Sequence, residues 1–102
     1  MKISYRRTGG FAGMVMTFNL NTDTLPPEES QTLRDLVASA DFFALPPKIT
    51  SRGPGADQFQ YSIMVETEEQ QHTIEVNEGS IPENLRPLLN ELRLLSRSTR
   101  GI

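Results

Sequence analysis

Two doubled stretches of period-two alternation, each followed by apolar residues at helical spacing, set the strongest limit on how this chain can fold. Ile3, Tyr5 and Arg7 alternate with Lys2, Ser4, Arg6 and Thr8, as on a half-buried strand. After Thr8-Gly9-Gly10-Phe11-Ala12-Gly13 a second alternation sets Met14, Met16, Phe18 and Leu20 on one face. Glycine adopts positive φ without steric cost, so the glycine-rich run predicts a hairpin with a wide or bulged connection. Asn21-Thr22-Asp23-Thr24 is a loop, and Pro26-Pro27-Glu28-Glu29 opens a helix over 26–40. Proline in a first turn removes no intrahelical bond, and early carboxylates suit the positive end of the helix dipole. Leu33, Leu36, Val37 and Ala40 supply the buried stripe, and Phe42, Phe43 and Leu45 lead to a stop at Pro46-Pro47.

The pattern then repeats. Residues 46–56 form a loop as long as a compact domain usually tolerates. Phe59, Tyr61, Ile63 and Val65 alternate with Gln58, Gln60, Ser62, Met64 and Glu66, the clearest strand in the chain. A polar turn near Glu68-Glu69 returns the chain through His72, Ile74 and Val76, which alternate with Thr73 and Glu75. Ser80-Ile81-Pro82-Glu83 has the pattern of a capping box, and Leu85, Leu88, Leu89, Leu92 and Leu95 form a second stripe. Pro87 would break a helix begun at Ser80, so the main helix is expected to start near Pro87 after an irregular turn. The order ββαββα closes each strand pair locally, which excludes a parallel sheet built from crossovers. The expectation is an α+β fold, a four-stranded antiparallel sheet with both helices on one face. Residues 1–96 make a single domain, and 97–102 a flexible basic tail.

Composition narrows the function. The 102 residues include no cysteine, which removes disulfides, thiolate nucleophiles and sulfur-ligated metals, and leaves a reducing cytoplasm as the expected location. The single histidine excludes a two-histidine metal centre. No apolar run approaches the roughly 18 residues that span a bilayer, so no membrane partner is expected. A net charge of -3 argues against general nucleic-acid binding, which rests on phosphate neutralisation. The charge is uneven: residues 1–20 carry Lys2, Arg6 and Arg7 without an acid, whereas 66–83 carry Glu66, Glu68, Glu69, Glu75, Glu78 and Glu83. Such asymmetry more often marks solvated surface than a partner.

No catalytic constellation emerges, and no cofactor is expected. His72 lies on the apolar side of its strand, where a packed or cross-strand-paired histidine accounts for it better than a base or ligand. The acidic hairpin is most simply a solvated turn. Gly9-Gly10-Phe11-Ala12-Gly13 lacks the spacing and the Lys-Ser/Thr ending of a phosphate loop, and it joins two strands. Two readings of it stay open. Phe11 either folds inward to cap the core or is held out on a narrow backbone, a shape able to enter a cleft.

Arg7-Thr8-Gly9-Gly10-Phe11-Ala12-Gly13, Leu25-Pro26-Pro27-Glu28-Glu29, Phe42-Phe43-Ala44-Leu45-Pro46, Asp57-Gln58-Phe59-Gln60-Tyr61 and Leu85-Arg86-Pro87-Leu88-Leu89 together resemble the emfourin family, in that family's order. The resemblance covers nearly the whole chain, and the Gly-Gly-Phe-Ala-Gly run is its most specific part. It implies a small bacterial inhibitor of thermolysin-type, protealysin-like zinc metalloproteases, not an enzyme. The motif positions carried over as protease-binding are Arg7, Thr8, Gly9, Gly10, Phe11, Ala12 and Gly13. The inhibitor is expected to act as a monomer. The competing class is a non-enzymatic protein-binding or regulatory module with no protease target, using the exposed sheet face or the acidic hairpin.

Overall fold

The computed structural model describes residues 1–9, 14–49 and 59–100, with Met14 and residues 97–100 described by backbone alone. Both hairpins form where alternation places them. Strands β1 (Lys2–Gly9) and β2 (Met14–Asn21) pair antiparallel in unbroken register, from Lys2↔Asn21 to Gly9↔Met14. After α1 (Pro27–Ser39) come β3 (Lys48–Ile49), β4 (Phe59–Glu66), β5 (Gln71–Asn77) and α2 (Arg86–Arg100). β1 sits between β2 and β4, and both neighbours run antiparallel to it.

The sheet differs from the four-stranded antiparallel one expected. It has five strands in the order β2-β1-β4-β5-β3, and β3 pairs parallel to β5 through Lys48↔Glu75 and Ile49↔Val76. Two residues are too few to show alternation, so this strand was hidden inside the segment read as loop. Tertiary geometry makes it: the chain leaving α1 returns along the free edge of β5, where Glu75 N–H donates to the Pro47 carbonyl at 2.9 Å. The fold is therefore α+β with two helices and a mixed sheet.

One sheet face is buried and the other open. Ile3 and Tyr5, Tyr61, Ile63 and Val65, and Ile74 and Val76 meet Leu33 and Val37 of α1 and Leu88, Leu89 and Leu92 of α2 in one apolar cluster. Lys2, Arg6, Thr17, Gln60, Thr73 and Glu75 lie on the uncovered face. α1 stops where Asp41 takes a left-handed φ of 51°, a conformation Asp tolerates better than most side chains, and Asn84 Nδ2 donates to the Ala40 carbonyl.

The capping box does not form. Ser80 Oγ donates instead to the carbonyls of Ile49 (3.0 Å) and Asn77 (3.3 Å), closing a 3-10 turn after β5 and fastening β3 to it. α2 begins at Arg86 with Pro87 in its first turn, after a turn in which Leu85 N–H donates to the Pro82 carbonyl. It continues to Arg100, taking in residues 97–100 of the expected tail, while 101–102 lie outside the described residues.

Candidate functional site

β1 and β2 hold the candidate connection, and β4 turns out to border it as well. Gly9 pairs with Met14 on one side and with Phe59 on the other. The ends of the 10–13 connection and the end of the 50–58 segment therefore meet at one end of the sheet. Of the residues proposed from the sequence, Arg7, Thr8 and Gly9 are described, whereas Gly10, Phe11, Ala12 and Gly13 lie outside the described residues. The question of whether Phe11 faces in or out falls on that second group.

Gly9 has φ of 100°, in the range where a Cβ is costly, so the first glycine of the run is required by backbone geometry. Arg7 lies on the helix-covered face, half-buried, with its guanidinium carbon 4.6 Å from the centroid of the Phe59 ring. That contact ties the base of the hairpin to the first described residue after the 50–58 segment. Phe59 is the member of this group that sequence reasoning passed over. Its position as the outermost apolar residue of the alternation in β4 was the signal that could have marked it.

Behind Arg7 the sheet is aromatic. Tyr5 and Tyr61 stand with ring centroids 6.1 Å apart. Burial pushes the Tyr5 hydroxyl pKa up, with the charge of an ionised Tyr61 adding to it and Arg7 and Arg93 opposing it. Burial likewise raises Tyr61, opposed most by Arg93. Both phenols stay neutral at physiological pH, so the buried layer behind the Arg7–Phe59 contact carries no charge of its own. Thr8 lies on the opposite, uncovered face. There a shallow depression of about 400 Å³ is lined by Arg6, Thr8, Gln60, Ser62, Glu75 and Lys48 among others.

His72 is a structural residue. Its Nε2 lies 2.7 Å from the Leu45 carbonyl, which can only accept, so Nε2 carries the proton. The ring meets Phe42 edge-on at 5.7 Å. Among the described residues no three or more His, Asp or Glu come together as a metal site, and no described helix is long and apolar enough to cross a membrane.

A two-layer α+β domain with a glycine-rich hairpin connection at one end, and no assembled catalytic group in its described part, is the class these features define. The family model described as Emfourin matches residues 5–93, and the chain belongs to the emfourin family. That family comprises protease inhibitors and not enzymes, so the chain is not an enzyme. Among solved structures the chain is similar to emfourin (M4in) from Serratia proteamaculans, an M4 family peptidase inhibitor. The two are 24% identical over 85% of this chain and 83% of that one, with a TM-score of 0.48. No curated protein matches the chain.

Proposed function

We propose that the chain inhibits a thermolysin-type zinc metalloprotease by seating the 10–13 connection in the substrate cleft, with Phe11 as the apolar anchor. Membership of the emfourin family supports the inhibitor role. The observation that carries the site is the pairing of Gly9 with both Met14 and Phe59, which sets the residue that follows 50–58 beside the two that flank the connection. Two chain segments leaving one rigid sheet end can share a footprint that a single short connection could not fill, since a standard interface takes roughly 800 Å² per partner.

The mechanism is occlusion. A connection whose ends are fixed by two antiparallel neighbours loses less conformational freedom on binding than a free peptide does. The flanking glycines let cleft walls approach the backbone closely. Chelation of the target's zinc is the poorer route for this chain, because cysteine is absent and His72 is committed to the Leu45 carbonyl. Action in a reducing cytoplasm suits a chain free of cysteine.

Phe11→Ala tests the anchor. The inhibition constant should rise at least fivefold, the equivalent of about 1 kcal/mol for a contact that matters, with the melting temperature unchanged. An unchanged constant in a folded variant removes Phe11 from the interface, and an unfolded variant makes Phe11 a core residue.

A further inference from the structure

The two edges of the sheet are treated very differently. The β3 edge is two residues long. The β2 edge is eight residues long, regular throughout, and its sequence Met-Val-Met-Thr-Phe-Asn-Leu-Asn contains no charge and no proline. Natural sheets commonly guard such an edge with lysine, proline, a bulge or a covering element. Among the described residues β2 carries no lysine, proline or bulge, and α2 reaches it on the covered face alone, where Ser96 Oγ lies 3.9 Å from Met16 Sδ.

The direction of its backbone groups follows from the ladder. Thr22 N–H donates to the Met1 carbonyl at 2.8 Å, continuing the β1–β2 register by one pair. Successive residues of a strand point their N–H and C=O to opposite sides, so even-numbered residues of β2 bond to β1 and odd-numbered ones point outward. A second bond agrees: Thr67 N–H donates to the Gln70 carbonyl, which directs odd residues of β4 to β5, even ones to β1, and odd residues of β1 to β2. Val15, Thr17 and Asn19 therefore aim their N–H and C=O groups out of the sheet, and their side chains are exposed on the uncovered face. Asn21 is already engaged, because its carbonyl accepts from Thr24 Oγ1.

We propose that this edge pairs with the same edge of a second copy of the chain, antiparallel about a two-fold axis at Thr17. The strand is complementary to itself in that register. Val15 faces Asn19 of the second copy, Thr17 faces Thr17, and Asn19 faces Val15, so every outward N–H and C=O is matched. The half-buried Met16 of each copy comes beside the half-buried Phe18 of the other on the helix-covered side, extending both cores. No like charges meet along the strand, and a C2 interface requires this kind of self-complementarity. The two 10–13 connections then leave opposite ends of the strand pair, about 20 Å apart along its axis at roughly 3.3 Å per residue. The contact is one strand wide, smaller than the roughly 800 Å² per partner of a standard interface, so the association is expected to be weak and to show only at high concentration. Nothing in this inference depends on the inhibitor role.

Sedimentation equilibrium across a concentration series tests it, and with it the expectation of a monomer. The weight-average mass of the native chain should climb from 11.4 kDa toward twice that value. Thr17→Pro deletes one outward N–H while leaving the bonds to β1 intact, a position where edge strands accept proline, and should stay monomeric with its circular dichroism unchanged. Thr17→Lys and Thr17→Glu should each associate less than the native chain at low salt, and their equimolar mixture should associate more than either alone. The proposal is overturned by a native chain that remains at 11.4 kDa near 1 mM, or by a folded Thr17→Pro variant that associates as the native chain does. It is equally overturned if Thr17→Pro leaves the mass unaffected but weakens peptidase inhibition, which would assign the edge to the target.

Discussion

If Arg7 and Phe59 brace the base of the candidate site, the two side chains must be coupled energetically. The guanidinium carbon stands 4.6 Å from the ring centroid, and both residues are half-buried. Exposed cation–π pairs contribute about 0.5–1 kcal/mol and desolvated ones about 2, so this pair should contribute about 1 kcal/mol. A double-mutant cycle isolates that energy. Arg7→Met keeps an apolar stem over the ring while removing the charge, Phe59→Leu keeps volume while removing the quadrupole, and the double variant closes the cycle. Urea unfolding followed by circular dichroism supplies the four free energies. The expected coupling is about 1 kcal/mol, and Arg7→Met alone should lower the melting temperature by about 4–8 °C. Arg7 also opposes the upward shift of both tyrosines, so Arg7→Met should move their ionisation to still higher pH in an ultraviolet titration. A coupling below about 0.3 kcal/mol, within the range where independent sites add, would refute the brace.

Three further outcomes follow from the same geometry. Tyr5 and Tyr61 have folded-state pKa values raised above 10.0, so the stability they confer is complete below that pH and is lost as pH rises through the folded values; unfolding free energy should fall in alkali above pH 10. Equilibrium unfolding at stepped alkaline pH checks this, and a flat profile contradicts it. Ser80→Ala removes the hydroxyl that donates to Ile49 and Asn77 and should cost about 1 kcal/mol, with amide exchange at Glu75 rising as β3 loosens. Gly9→Ala introduces a Cβ at φ of 100° and should cost about 1–2 kcal/mol by thermal unfolding.

Much of this fold was legible because its long elements carry a strong period. The alternations in β1, β2, β4 and β5 and the leucine stripe of α2 reflect one-sided burial, which local sequence records directly. β3 escaped notice because two residues cannot display a period, and its parallel pairing is set by the return of the chain along β5. The capping box at Ser80 misled for a related reason. The Ser80 hydroxyl donates to the Ile49 carbonyl, 31 residues away in sequence, while the helix whose N–H groups it would accept from is delayed by Pro82 and Pro87 to Arg86. At the candidate site the glycine signal marked the connection, and Gly9 does require its residue type. Phe59 stood at the end of the β4 alternation, but its place beside Gly9 was not legible, since that register joins residues 50 positions apart and leaves no trace in either segment alone.

Inhibition itself is the most direct test of the functional account. Initial rates of peptide hydrolysis by a thermolysin-type zinc peptidase, titrated with the purified chain, should fall in a saturable manner at micromolar concentration. A small ligand occupying the zinc cleft should compete with the chain and raise its apparent inhibition constant linearly with the ligand's concentration. Hydrolysis that continues at an unaltered rate with the chain in large excess, across a panel of such peptidases, would contradict the account.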